Sequence, residues 1–188
     1  KVNMLDLHPL DFREFLDATG NTMLRELVDE GDPTSINAFG PKLTELLKQY
    51  YFAGGMPEAV AAFIDDGALE SARNVQEEIL RSYRLDAPKH LSARKTEHVL
   101  AVWDSLPAHL SRENKKFVFG QIHDGARARD YRSAITWLVQ AGLATRVDRV
   151  SKPGVPLSSY ASDNAFKLFC LDIGLLGALS GLNQQAIA

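Results

Sequence analysis

The stretch YYFAGGMPEAV, residues 50–60, places two glycines and a proline between two apolar helical stripes. Gly54 follows the last periodic residue of the first stripe, where a glycine can adopt the left-handed conformation that ends a helix. Pro57 can open the next helix, because the first helical residue needs no N–H donor. A new apolar face follows on Val60, Phe63 and Ile64. The stretch therefore predicts a rigid corner between two helices.

Amphipathic helices are predicted on both sides of this corner. The stripe before it has the i, i+3, i+4, i+7, i+8 spacing of one buried face, on Leu43, Leu46, Leu47, Tyr50 and Tyr51. Two shorter helices precede it, over residues 9–19 and 21–31; the second has Asn21 as N-cap and an apolar stripe on Met23, Leu24, Leu27 and Val28. A long helix over about residues 69–85 follows the corner, and Pro88 is predicted to break it.

The second half of the chain changes character. Helices are predicted over 96–106 and 126–142, the latter stopped by Gly142, with a short β-like or helical segment at 115–122 between them. Strands at 144–150 and 166–172 flank a KPG turn. Helix, helix and β-hairpin is the order of a winged helix. The fold class is therefore mainly α: a helical bundle over residues 1–90, then a winged-helix module with a small antiparallel hairpin over 91–188.

Charge is unevenly distributed along the chain, whose net charge is −3. Residues 1–110 hold 11 basic and 18 acidic side chains, a net charge of −7, whereas residues 111–152 hold nine basic and four acidic, a net charge of +5. This asymmetry indicates two modules that face different partners. The single cysteine excludes an internal disulfide and favours a reducing, cytoplasmic setting. No apolar run approaches the length of a membrane helix.

The basic block suggests a nucleic-acid interface. In the 126–142 helix, Tyr131, Ile135, Leu138 and Val139 form the predicted buried stripe. Basic residues lie away from it on the helix and on the predicted wing: Arg127, Arg129, Arg132, Arg146, Arg149 and Lys152. A DNA-binding winged helix presents such a set, with its second helix in the major groove and its wing on phosphate. The alternative is a solvated helix face that binds no nucleic acid.

No self-sufficient catalytic or metal-binding motif is present in the sequence. The five histidines share no i, i+4 pair and no H-E-x-x-H motif. There is no G-x-S-x-G elbow and no G-x-x-x-x-G-K-[ST] phosphate loop. We therefore expect neither catalysis nor metal binding by this chain alone.

Four segments, in this order, resemble a group of prokaryotic AAA+ ATPases that join a P-loop core to a C-terminal domain of unknown function. They are LHPLDFREFL (7–16), YYFAGGMPEAV (50–60), YRSAITWLVQAGL (131–143) and FKLFCLDIGLLGALSG (166–181). The resemblance implies that the first segment closes the ATPase core and that the glycine corner belongs to its helical lid. It also implies that Gly54, Gly55 and Pro57 lie on the adenine side of bound ATP, with Gly55 leaving a bare face for the ring.

The chain departs from that family because it contains no phosphate loop and, after Gly181, no strand ending in E-x-K. By the resemblance, ATP and magnesium belong to a P-loop core outside this chain, and residues after about 173 begin a truncated C-terminal domain. The implied function is a lid and winged helix that sense the nucleotide and pass its state to a partner. The alternatives are a DNA-binding module and a structural connector.

Overall fold

The computed structural model describes residues 7–186 and is mainly helical (64%), with a two-stranded antiparallel sheet. The predicted fold class, a helical bundle followed by a hairpin, is confirmed. The chain forms two compact units, one from residues up to Leu80 together with those from Asp172 onward, the other from Arg81 to Leu171. The sequence predicts one boundary, near residue 90. No helix within residues 7–186 is long and apolar enough to cross a membrane.

The helices and strands follow in simple order. The first unit contains α1 (Phe12–Ala18), α2 (Thr22–Glu30), α3 (Pro33–Ala38), α4 (Gly40–Ala53), α5 (Pro57–Asp66), the first part of α6 (Leu69–His90) and α9 (Ile173–Leu179). The second contains the rest of α6, α7 (Ala93–Leu110), α8 (Ala128–Gln140), β1 (Ala144–Val150) and β2 (Ala161–Cys170). Short 3-10 turns span Phe119–Gln121, Leu157–Tyr160 and Gln184–Ala186.

α1 connects two clusters of buried side chains in the described part of the first unit. Phe15 packs in one cluster, with the α4–α5 corner and α6, and Leu16 packs in the other, with α2 and α4. Both side chains are fully buried. A capping box fixes the start of this short helix: the Asp11 carboxylate accepts from the Glu14 backbone N–H, and the Glu14 carboxylate accepts from that of Asp11.

In the second unit, α7 packs on α8, and the hairpin packs on both. β1 and β2 pair antiparallel, with Ala144 opposite Cys170 and Asp148 opposite Phe166. The predicted β-like segment before α8 contributes one strand-type bond, because the Phe117 N–H donates to the Phe166 carbonyl at 2.9 Å. A 3-10 turn follows it. The helix, helix and hairpin order predicted for a winged helix is thus present.

Four predicted core residues are exposed: Met23, Tyr51, Ile64 and Val139. Each directly follows or precedes a residue that is buried or half-buried on the same helix. Because successive helical residues are rotated by about 100°, a residue at the edge of a stripe can point to solvent while its neighbour points into the core. The predicted helix phase is therefore right, but each predicted stripe is one residue too wide.

Two further predictions about helix ends are corrected. α6 does not stop before Pro88 but continues to His90. Pro88 removes one backbone donor, and since it lies in the last turn the helix loses a single bond there. Asn21 is the residue before α2, as predicted, but its side chain donates to Thr19 instead of capping the helix. α9 is part of the first compact unit. That it begins a truncated C-terminal domain stays a prediction from the resemblance.

Candidate functional site

The glycine corner adopts a backbone conformation that only glycine tolerates. α4 ends at Ala53 and α5 begins at Pro57, as predicted. Gly54 has φ 69° and ψ −165°, so it lies outside the left-handed helical region predicted for it. This combination of positive φ and extended ψ is essentially restricted to glycine. The Gly54 N–H still closes α4 by donating to the Tyr50 carbonyl at 2.8 Å.

Gly55 is buried and hydrogen-bonded on both sides. Its N–H donates to Asp172 Oδ2 at 2.7 Å, and its carbonyl accepts from the Leu10 N–H at 2.7 Å. A Cβ on Gly55 would overlap the Leu10 carbonyl oxygen and lie 2.7 Å from the Leu10 nitrogen. The face that sequence analysis left bare for an adenine ring is therefore occupied by the backbone of Leu10.

Of the three residues predicted on the adenine side, Pro57 alone is exposed. Gly54 is as enclosed as Gly55, because a Cβ on it would overlap Asp172 Oδ1 and lie 2.9 Å from Asp172 Cγ. The two glycines thus serve the close approach of Leu10 and Asp172. Their assignment to a nucleotide site stays a prediction, and the structure offers Pro57 as its accessible member.

Asp172 joins the corner to α9. It is 4% exposed, and its Oδ1 accepts from the Leu175 N–H at 2.9 Å, which caps α9. Burial raises the pKa of this carboxyl, and the backbone N–H groups of Gly55 and Leu175 partly oppose that shift. Sequence analysis missed Asp172, although an aspartate directly before an apolar helical run is an N-cap signal.

Tyr50 adds a second link from the corner to Leu10. Its hydroxyl donates to the Leu10 carbonyl at 2.9 Å. Burial, and then the charge of Asp172, raise the pKa of Tyr50 to about 12. The phenol therefore keeps the proton that this bond requires at any physiological pH.

Gln76 and Arg73 extend the network into α6. The fully buried Gln76 donates through Nε2 to the carbonyls of Phe52 and Ala53, at 3.0 and 2.7 Å, and so satisfies two carbonyls at the end of α4. Arg73, 6% exposed, lies 4.2 Å over the Phe52 ring and donates to the Gly174 carbonyl at 3.1 Å. Burial lowers its pKa, and Glu77 and Glu70 oppose the shift.

Two glycines let α9 approach this network. A Cβ on Gly174 would overlap Gln76 Nε2 and lie 2.8 Å from Gly54, and one on Gly177 would lie 3.2 Å from Arg73 Nη2. Within residues 7–186, Arg73 Nε, Arg73 Nη2 and Gln76 Oε1 have no hydrogen-bond partner. The network therefore holds the corner, α6 and α9 together but leaves three buried polar atoms unpaired.

The six basic residues predicted for nucleic acid have unequal freedom. Arg127 and Arg129 are exposed at the start of α8, and Arg129 is 3.8 Å from Asp130. Arg132 is exposed and donates to Asn164 Oδ1 on β2 at 2.9 Å. The predicted exposure of the α8 basic face is confirmed.

On the hairpin, one predicted residue is held in place and two are freer. Arg146 pairs with Asp148 at 2.7 Å and lies 4.3 Å over the Phe166 ring, so its side chain is only 28% exposed. Arg149 and Lys152 are exposed, the latter 4.9 Å over the Tyr160 ring. Arg146 is therefore part of the hairpin's own packing, whereas Arg149 and Lys152 are available to a partner.

Comparison with known proteins yields a family without an assigned function. No curated protein and no solved structure matches the chain. A family model described as a domain of unknown function, DUF8612, matches residues 44–186. That range begins in α4 and includes the glycine corner, the α7–α8 pair, the hairpin and Asp172. The chain therefore belongs to the DUF8612 family, a family of domains of unknown function.

Proposed function

We propose that this chain is the lid and winged-helix part of a cytoplasmic P-loop AAA+ ATPase and that it relays the state of the ATPase core to a partner. The observation that supports this proposal is the double hydrogen bond of Gly55, to Leu10 on one side and to Asp172 on the other. Leu10 lies in the segment that, by resemblance, closes the ATPase core. Asp172 caps α9. One residue thus connects that segment to a helix distant in sequence.

The relay follows from the bonds around the corner. A displacement of Leu10 is resisted by Gly55 and by the Tyr50 hydroxyl, so the corner moves with it. The corner in turn is bonded to Asp172 and, through the last carbonyls of α4, to Gln76 on α6. Gly54 and Gly174 lie in close contact with the neighbouring segments, with no space for even a Cβ atom. A movement of the corner is therefore passed to α6 and α9 together.

ATP and magnesium belong to the P-loop core in this proposal, and no step here depends on residues of this chain holding them. Gly54 and Gly55 do not fit a ring-stacking role, because Asp172 and Leu10 fill the space beside them. Pro57, exposed at the start of α5, is the residue that fits a contact with the adenine. The contribution of this chain is mechanical, and we expect no ATP hydrolysis by it alone.

Hydrogen exchange on the natural protein, with and without a non-hydrolysable ATP analogue, tests the relay. Exchange at α9 should change with the analogue, and Asp172→Asn should abolish that change while analogue binding persists. The matched control is Asp163→Asn, an exposed carboxylate on β2, which should leave the response intact. A natural protein without a G-x-x-x-x-G-K-[ST] loop before this chain, or an unchanged α9, would refute the proposal.

DNA binding by the second unit is the second candidate function. It is favoured by the exposed basic residues Arg127, Arg129, Arg149 and Lys152, of which Arg129 alone has a carboxylate within ion-pair distance in the described part of the chain. Binding to a short duplex should weaken with salt, with a log–log slope of about −0.9 per phosphate neutralised. No binding at low salt by the folded protein would exclude it.

A further inference from the structure

A groove of about 340 Å³ runs along the β1–β2 hairpin of the second unit. Cationic side chains from three segments line it: Lys116 from the loop after α7, Arg149 from β1 and Lys167 from β2. Its volume is at the lower end of the range of small-molecule sites, about 300–1,000 Å³. It is therefore large enough for one small ligand and too small for a double helix.

The groove carries an unbalanced positive charge. None of the ion pairs among residues 7–186 involves Lys116, Arg149 or Lys167. Asp148 also lines the groove, but it is paired with Arg146 at 2.7 Å. Its charge is thus already compensated within the hairpin. An anion that enters the groove meets three cations that have no carboxylate partner.

Hydrogen bonds of the backbone fix the positions of the residues that carry these cations. Val147 is opposite Lys167 in the β1–β2 register. The loop that carries Lys116 is held at two points: Asn114 Oδ1 accepts from the Lys116 N–H at 3.1 Å, and the next residue bonds to β2. The three cations therefore line the groove from fixed backbone positions.

The floor of the groove is apolar. Val147 is 48% exposed there, and Ala165 lies beside it. Beneath them, Phe166 is held in place by Arg146 over its ring and by the stacked ring of Phe117, at 5.3 Å. A ligand that covers Val147 removes apolar surface from water, which favours a ligand with an apolar body.

We propose that this groove binds a small organic phosphate in which a doubly charged phosphate group is joined to an apolar ring. The phosphate lies among Lys116, Arg149 and Lys167, and the ring covers Val147. The proposal does not rest on the relay function, because the groove is in the second unit and contains none of the residues around Gly55.

Nuclear magnetic resonance titration of the whole protein tests the proposal. Phenyl phosphate is the probe, and inorganic phosphate and phenol supply the two halves of its chemistry. Phenyl phosphate should shift the amides of Lys116, Val147 and Lys167 at low salt and bind more tightly than inorganic phosphate. Phenol should not bind. Shifts confined to residues around Gly55 would overturn the proposal while leaving the relay function standing.

Two substitutions that each remove one positive charge distinguish binding in the groove from nonspecific electrostatic attraction of the phosphate to the protein. Arg149→Gln removes a cation from the groove and should weaken phenyl phosphate about tenfold or more, since a charge-assisted hydrogen bond is lost. Arg94→Gln removes an exposed cation of α7 that does not line the groove and should leave affinity within about twofold. Val147→Ala should reduce the advantage of phenyl phosphate over inorganic phosphate.

Three results would contradict the proposal. The first is the absence of any shift with phenyl phosphate at low salt. The second is an equal effect of Arg149→Gln and Arg94→Gln, which would mean that only net charge matters. The third is that a duplex shifts the groove amides while phenyl phosphate does not, which would assign the groove to the nucleic-acid interface.

Discussion

The α4–α5 corner and the β1–β2 hairpin differ in where their polar groups lie and in what those groups bond to. At the corner, the polar groups of Gly55 and the side chain of Asp172 bond within the molecule and are buried. At the hairpin, Arg149, Lys152 and Lys167 are exposed, and so are Val147 and Val150. The first arrangement suits a fixed internal joint, and the second suits contact with a partner.

The corner shows that a glycine pair can be required for the close approach of another segment of the same chain, and not only for that of a ligand. A glycine pair beside a proline is expected wherever something must come close to the backbone, and the sequence does not say what that is. Here it is another segment of the same chain, at Leu10, and the carboxylate of Asp172. A ligand-binding interpretation of glycine therefore needs the space beside the backbone to be shown empty.

The largest expected effect is at the corner itself. Gly55→Val places a branched side chain against the Leu10 backbone, which cannot move without breaking its bond to Gly55. We expect a loss of more than about 4 kcal/mol in the free energy of unfolding, or no folding. Urea denaturation followed by circular dichroism measures it.

Gly120→Val is the matched control for that substitution. Gly120 is exposed, and a Cβ there meets no atom within 4 Å. Its free energy of unfolding should change by less than about 1 kcal/mol. A Gly55→Val protein as stable as the Gly120→Val protein would mean that Leu10 can leave the corner, and the bare face would then be available to a ligand.

The next effect concerns the core that supports the hairpin. Leu138 on α8 is 1% exposed, whereas its neighbour Val139 is 37% exposed. Leu138→Ala should lower the free energy of unfolding by about 2–5 kcal/mol. Val139→Ala removes fewer contacts and should lower it by less than about 1 kcal/mol. Thermal or urea unfolding of the two variants compares them, and a larger effect at Val139 would mean that the phase of α8 is wrong.

Asp172→Asn tests the buried carboxylate of the corner. The amide keeps the size of the side chain but has one oxygen where the carboxylate has two, so an N–H of Gly55 or Leu175 loses its acceptor. We expect a loss of about 1–3 kcal/mol in the free energy of unfolding. A loss near zero would mean that the corner and α9 do not depend on this link.

The pH dependence of that difference has a definite sign. Because burial raises the pKa of Asp172 in the folded protein, the folded state holds this proton more tightly than the unfolded state does. The stability contributed by the protonated carboxyl is therefore lost as the pH rises from about 4 through the raised pKa. The advantage of the native protein over Asp172→Asn should shrink over that range. An advantage that grows would show that the N–H bonds of Gly55 and Leu175 outweigh burial.

Sequence patterns predicted the elements well and the connections poorly. The spacing of apolar residues predicted α4 and α8, because periodicity reports which face of an element is buried, and the KPG turn between two strands predicted the hairpin. It did not identify Asp172, Gln76 or Arg73 as a buried network, since each of these polar residues is most often exposed. Their burial depends on packing between α4, α6 and α9. This packing brings together residues that are far apart in sequence, by 117 positions for Gly55 and Asp172. The approach of Leu10 to Gly55 was not predicted either, because it too is a contact between residues far apart in sequence.

The smallest expected effects separate the two arginines of β1. Arg146→Ala removes an ion pair with Asp148 and a cation–π contact with Phe166 and should lower the free energy of unfolding by about 1 kcal/mol. Arg149→Ala removes an exposed side chain with no ion pair among residues 7–186 and should change the free energy of unfolding by less than about 0.5 kcal/mol.

If the hairpin also binds duplex DNA, the order of the two effects reverses for binding. Arg149→Ala should then flatten the salt dependence by about 0.9, and Arg146→Ala by less, because the latter guanidinium is already engaged. Unfolding and fluorescence anisotropy on the same two proteins measure both orders, and equal effects in both assays would mean that Arg146 is as free as Arg149.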